Sequence, residues 1–151
     1  MIVGVPSETA AGETRVALTP PVASDLIDSG HDVRVAAGAG EGSDWTDDEY
    51  REVGCEVRED RADVFDGADV IVQVQGLGAV DGDPDPYDAD QTVIGLRGPY
   101  GVDEDELADL ADRGVDAFAL ELIPRISRAQ SMDALSSMAS IGGYKATLVA
   151  A

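Results

Sequence analysis

The run Ala68-Asp69-Val70-Ile71-Val72-Gln73-Val74 decides the fold of this chain. Val70, Ile71, Val72 and Val74 form a nearly continuous β-branched apolar stretch. Such a run reads as a strand buried on both faces. Strands of that kind belong to parallel sheets, because the crossover helices of a parallel sheet cover both its sides.

Strand and helix signals alternate outward from this run. Ile2-Val3-Gly4-Val5 opens as a strand. Thr19-Pro20-Pro21 then starts a helix, with a hydroxyl cap and prolines in the first turn. That helix carries Val22, Leu26 and Ile27 on one face and stops at Gly30. Val33 to Ala37 is a second strand, and Gly38 to Ser43 a glycine loop. Thr46-Asp47-Asp48-Glu49 opens a second helix, with acids at its positive end, and that helix stops near Gly54. Asp60 to Asp66 reads as a short helix. Gly76 to Asp90, rich in Gly, Pro and Asp, is a loop and the expected site of mobility. Thr92 to Leu96 is a strand, Asp103 to Arg113 a helix ended by Gly114, and Asp116 to Ile123 the last strand. A final helix begins at Met132 or Asp133. The order βαβαβαβ-β-αβα, with short connections, predicts one doubly wound α/β domain over residues 1–151. Its sheet is mostly parallel, with helices on both faces in a Rossmann-like or flavodoxin-like three-layer arrangement.

Composition bounds the function. A chain of 151 residues can bury roughly 68–70% of its unfolded surface and hold a core without staples. Asp and Glu total 31 against 10 Lys and Arg, for a net charge of -21. The only lysine is Lys145. This surface repels nucleic acid, because binding a polyanion needs cations that release its counterions. Acid richness with so little lysine suggests a halophile's cytoplasm rather than an ordinary acidic protein. Disorder is excluded by a 44% hydrophobic content arranged in periodic runs. Cys55 is the single cysteine, so no internal disulfide forms, and it is placed as a half-buried thiol. One Cys and one His leave no metal cluster. No secretory signal or membrane-spanning run is expected.

Chemistry concentrates at the predicted strand-to-helix junction Pro124-Arg125-Ile126-Ser127-Arg128-Ala129-Gln130-Ser131-Met132-Asp133. In open α/β sheets ligands collect at the carboxyl ends of strands and at the helix N-termini beside them. Ser127 and Gln130 also fit a capping box. Capping does not account for Arg125, Arg128 and Asp133, since cations at a helix's positive end need an anion to offset them. Arg15, in Glu13-Thr14-Arg15-Val16-Ala17-Leu18-Thr19-Pro20, sits at the same edge. Its fork suits a carboxylate or phosphate, but it could equally be a surface arginine paired with Glu8 or Glu13. Gly38-Ala39-Gly40-Glu41-Gly42 matches a dinucleotide loop poorly, because the third glycine falls at Ser43 and Glu41 would lie where phosphate does. It reads as a tight turn. His31 reads as a solvated turn residue without a partner to tune it. Asp81, Asp83, Asp85, Asp88 and Asp90 lack the order of a calcium loop and read as solvated.

These segments together resemble the N-terminal part of the alanine dehydrogenase and nicotinamide nucleotide transhydrogenase family. The resemblance runs from Val5-Pro6-Ser7-Glu8 through Glu13 to Pro20, the Gly38–Gly42 loop and the Ala68–Gln75 strand, to Tyr144. Its most specific part is Pro124 to Asp133 with Leu135-Ser136-Ser137, which looks like the transhydrogenase alpha subunit. That implies the NAD(H)-side component of a proton-translocating enzyme passing hydride between NAD(H) and NADP(H). The resemblance further implies that Arg125, Gln130, Asp133 and Ser136 contact the nicotinamide and its ribose, and that no residue here forms or breaks a bond. NAD(H) would be held mainly by a separate Rossmann domain and NADP(H) by a partner subunit. A homodimer, bound through membrane subunits to the inner face of the cell membrane, is also implied. No G-x-G-x-x-G followed by an acid occurs in the chain, so the Rossmann partner is expected elsewhere.

The alternative is an alanine-dehydrogenase-like amino-acid dehydrogenase, in which Arg15 would hold pyruvate. The family's substrate lysine falls at Gln75, and its histidine falls within Ile94-Gly95-Leu96-Arg97-Gly98. Both groups are therefore missing from that reading. A non-catalytic assembly or regulatory module is the third possibility.

Overall fold

The computed structural model describes residues 1–76, 86–96 and 104–150. Strands β1 (Ile2–Val5), β2 (Asp32–Ala36), β3 (Glu56–Arg58), β4 (Val70–Gln75), β5 (Thr92–Leu96) and β6 (Asp116–Ala119) form one sheet. All its pairings are parallel and the order is β3-β2-β1-β4-β5-β6. The helices are α1 (Pro20–Asp28), α2 (Asp47–Glu52), α3 (Glu104–Asp112) and α4 (Ala134–Ala150). This is the doubly wound α/β architecture expected from the alternation of runs. Strand order reverses between β1 and β4, and the crevice beside such a switch is where ligands bind in these sheets. Right-handed crossovers place α1 and α2 on one face and α3 on the other.

Local chemistry sets the element ends. Pro20 and Pro21 start α1 with φ already helical. A full capping box opens α2: Thr46 Oγ1 accepts the Glu49 N–H while Glu49 accepts the Thr46 N–H. Gly30, Gly54 and Gly114 terminate their helices at φ of 88°, 98° and 76°, where a Cβ would be strained.

The core lies between the sheet and the two helical layers. Val5, Val35, Tyr50, Val64, Phe65, Ile71 and Val93 are fully buried. Each such side chain contributes about 1.5–3 kcal/mol. The Tyr50 hydroxyl satisfies itself by donating to the Leu18 carbonyl at 2.7 Å. Burial pushes that phenol up to about 12.

Several sequence expectations need correction. The sequence does not signal β3, because its three residues carry only one apolar side chain. The short helix expected over Asp60–Asp66 is present as a 3-10 helix, Arg61–Val64, capped by Asp60. The last strand ends at Ala119, where a 3-10 turn, Leu120–Leu122, takes over. Cys55 is buried rather than half-buried, and burial pushes its thiol up to about 11. His31 is half-buried rather than solvated, with Nδ1 enclosed and lacking a hydrogen-bond partner. The aspartates at 81, 83 and 85, Arg97, Gly98 and most of the Gly76–Asp90 loop lie outside the described residues. Among the described residues, no helix is long and apolar enough to cross a membrane, and no group of three or more His, Cys, Asp or Glu could hold a metal.

Candidate functional site

The chain leaves β6 and crosses the carboxyl edge of the sheet as Pro124–Asp133. Ile126–Met132 is held as a tight loop by its own backbone: Ala129 N donates to Ile126 O, and Asp133 N to Gln130 O. Ser127–Met132 is a 3-10 helix, anchored by the buried Ala129. The expected capping box of Ser127 and Gln130 does not form, since this turn has no side-chain cap. The cap belongs to Asp133, one residue before α4. Its Oδ1 accepts the Ser136 N–H at 3.0 Å, and its Oδ2 accepts the Ser136 hydroxyl at 2.6 Å. These two bonds hold the Asp133 carboxyl below its ordinary value, with the Arg125 guanidinium a lesser cause.

Capping at Asp133 frees the neighbouring polar groups. Arg125, Ser127, Gln130 and Asp133 line one open pocket of about 230 Å³ with Ile126. The loop thus brings together three of the four residues singled out from sequence. Ser136 does not line the pocket and acts through its bonds to Asp133. Arg128 also lies outside the pocket lining.

Arg15 lies elsewhere. Its Nε and Nη2 fork onto the two oxygens of Glu13 at 2.8 and 2.5 Å, and Nη1 meets the thioether of Met138 on α4. The ion pair expected as one reading of Arg15 is therefore formed. It holds the Glu13 carboxyl down to about 2. A second cavity, of about 300 Å³ and largely apolar, lies between Arg15, the ends of β4 and β5, and the start of α4.

Sequence reasoning undervalued Glu8. It follows β1 directly, and its carboxylate accepts the backbone N–H groups of Val74 and Gln75 at 2.6 and 2.9 Å. These bonds tie the β1–α1 loop to the end of β4 and position the Arg15–Glu13 pair, to which Gln75 also donates. The available signal was its place, an acid at the carboxyl end of a central strand.

The Gly38–Gly42 segment is a turn, as expected. A carboxylate, Asp47 Oδ1, already accepts the Gly38 N–H at 2.9 Å. A Cβ on Gly40 would lie 2.8 Å from Trp45 and Tyr50 side chains. These glycines serve close packing and leave no anion cradle.

With the fold and this geometry in hand, comparison with known proteins is decisive. Residues 4–142 match the family described as "Alanine dehydrogenase/PNT, N-terminal domain". The chain belongs to this alanine dehydrogenase/transhydrogenase N-terminal domain family. It is 39% identical over 99% of its length to the NAD(P) transhydrogenase subunit alpha of Cereibacter sphaeroides, of which it spans 28%. It is 35% identical over its whole length to the alanine dehydrogenase of Bacillus subtilis, spanning 38% of that protein. The crystal structure of transhydrogenase from Sinorhizobium meliloti superposes with a TM-score of 0.85 at 38% identity, covering 98% of this chain and 43% of that one. The chain thus spans less than half the length of each of these relatives.

Proposed function

We propose that this chain forms part of the NAD(H)-side component of an NAD(P) transhydrogenase, as the domain that closes over the nicotinamide. The observation that carries this reading is the convergence of Arg125, Gln130 and Asp133 on one pocket at the carboxyl edge. Its donor set suits a neutral carboxamide and a ribose: guanidinium and amide can donate, amide and carboxylate can accept. At about 230 Å³ the pocket suits a ring and its substituents, not a whole dinucleotide. The Gly38 N–H is taken by Asp47, which supports pyrophosphate binding by a Rossmann domain outside residues 1–151.

The bound cofactor supplies the hydride chemistry. Arg125 and Gln130 orient the carboxamide, Asp133 holds the loop to α4 through Ser136, and the loop excludes water. The reaction then depends on positioning, with no bond made to this chain. The partners are a Rossmann NAD-binding domain or polypeptide and the membrane subunits of a proton-translocating enzyme, NADP(H) sits on another subunit, and the assembly is a homodimer at the inner face of the membrane. The amino-acid dehydrogenase alternative needs Arg15 for a carboxylate. Glu13 already takes the Nε and Nη2 of that fork and Nη1 meets Met138, which favours the transhydrogenase reading.

Stopped-flow hydride transfer in the complex reconstituted with its NAD-binding polypeptide tests the proposal. Arg125→Ala and Gln130→Ala should each lower turnover about ten- to a thousandfold, about 1.4–4 kcal/mol of transition-state stabilisation, with a much smaller change in NADH affinity. Both residues are exposed, so melting temperatures should be unchanged. Wild-type turnover in both folded variants would remove the loop from the reaction.

A further inference from the structure

The end of β4 is irregular. Val72 pairs with Ile94 and Gln75 with Leu96, so β4 carries one extra residue against β5 between these pairs. That is a β-bulge, a feature that re-aims side chains and is common beside functional sites. In a regular strand, successive N–H groups point to opposite neighbours. Here Val74 and Gln75 both donate to one carboxylate, Glu8, at 2.6 and 2.9 Å. The pairing of β1 with β4 runs only from Val3–Val70 to Gly4–Ile71, so Glu8 stands where the neighbouring strand has ended. A carboxylate suits this place because it offers two acceptor oxygens and no donor. A carboxamide would set an NH2 against one of the two N–H groups.

From this bulge an unbroken set of contacts runs to the pocket loop. Gln75 Nε2 donates to Glu13 Oε2 at 3.1 Å. Glu13 takes two nitrogens of Arg15, and Arg15 Nη1 meets the Met138 sulfur at 2.7 Å. Met138 lies near the start of α4, and Asp133, which caps that helix through Ser136, lines the pocket with Arg125 and Gln130. Networks of this kind can carry coupling between separated sites. We infer that Glu8, as a carboxylate, is a positioning residue for the Arg125–Asp133 loop, acting through Gln75, Glu13, Arg15 and α4. Its bearing on hydride transfer rests on the function proposed above.

The charged groups that face Glu8 are Glu13 and Arg15 from its own loop and Arg61 from the 3-10 helix, and β4 contributes none. Burial raises the Glu8 carboxyl above its ordinary value, against the two β4 N–H bonds. Asp133, beside the pocket, is held below its ordinary value, so the two titrations separate.

Amide NMR of the chain in molar potassium chloride, titrated through the acid range, tests the inference. The amides of Val74, Gln75, Arg15 and Gln130 should shift with one shared midpoint above the ordinary glutamate value. Glu8→Gln should abolish that midpoint at all four. Arg15→Met should keep it at Val74 and Gln75 and erase it at Gln130. In the reconstituted complex, Glu8→Gln should lower kcat about tenfold, change KM for NADH by less than about twofold and flatten the acid limb of the pH profile. A Gln130 amide that ignores the Glu8 midpoint, or keeps it in Arg15→Met, overturns the inference. The wild-type titration and Arg15→Met decide it even if Glu8→Gln does not fold. If Gln130 follows Glu8 while Arg125→Ala turns over like wild type, the proposed function falls and the positioning stands. If Arg125→Ala loses turnover while Glu8→Gln retains it, the positioning role falls and the proposed function stands.

Discussion

Asp133 shows how one side chain joins structure to function. It caps α4 through two bonds to Ser136 and turns its remaining surface to the pocket beside Arg125 and Gln130. Loss of such a cap costs about 0.5–2 kcal/mol. Asp133→Ala should therefore lower the denaturant midpoint, unlike Arg125→Ala. The acid limb of stability follows from the same carboxylates. Glu13 is held at about 2 against an ordinary 4.5, by its fork with Arg15, and Asp133 is also held below its ordinary value. A depressed folded value means stability present above the unfolded value and lost as pH falls through the folded one. Glu8 acts in the opposite sense, because burial raises it. Stability should fall as pH drops from about 4.5 toward about 2. Arg15→Met should flatten that limb, read by urea midpoints across the range. An unchanged limb would mean that the pair contributes nothing in solution.

At the scale of elements, the carboxyl edge is built by loops locked to one another. Gly42 packs so closely on the β1–α1 loop that a Cβ there would lie 2.7 Å from the Thr14 carbonyl oxygen. Ser43 donates to that same oxygen at 2.8 Å. Gly42→Ala must push the Thr14–Arg15 backbone away and should cost about 1–3 kcal/mol, as overpacking does. Circular dichroism melts give the cost. A melting temperature within error of wild type would show that the two loops move apart freely. The displacement also carries Arg15 away from Met138, the point where α4 leans on the body of the domain. The helix capped by Asp133 is therefore positioned from a turn far away in sequence.

For the whole molecule, a net charge of -21 dominates solution behaviour. The described ion pairs join neighbours such as Arg51 with Asp48 and Arg113 with Asp109, which offset little of it. Salt screens the remaining repulsion. The melting temperature should rise steadily from low salt into multimolar potassium chloride. A flat or falling curve would contradict adaptation to a saline cytoplasm.

Fold class was legible in the sequence because burial on two faces writes itself into single strands. Val70 to Val74 could only be a central parallel strand, and glycines at 30, 54 and 114 marked helix ends because each needs positive φ. Arg125, Gln130 and Asp133 were legible as a group because ten contiguous residues at one strand end cannot be far apart. Tertiary structure alone decided which of them caps. Sequence places the cap at Ser127 and excludes Asp133 from capping; the structure corrects this, since Ser127–Met132 is a 3-10 turn and Asp133 caps α4. Tertiary structure alone placed Glu8 on the end of β4 and brought Gln75 and Met138 to the Glu13–Arg15 pair. These features depend on contacts between residues distant in sequence. Local periodicity carries no information about such contacts, because they are selected by the packing of the whole sheet.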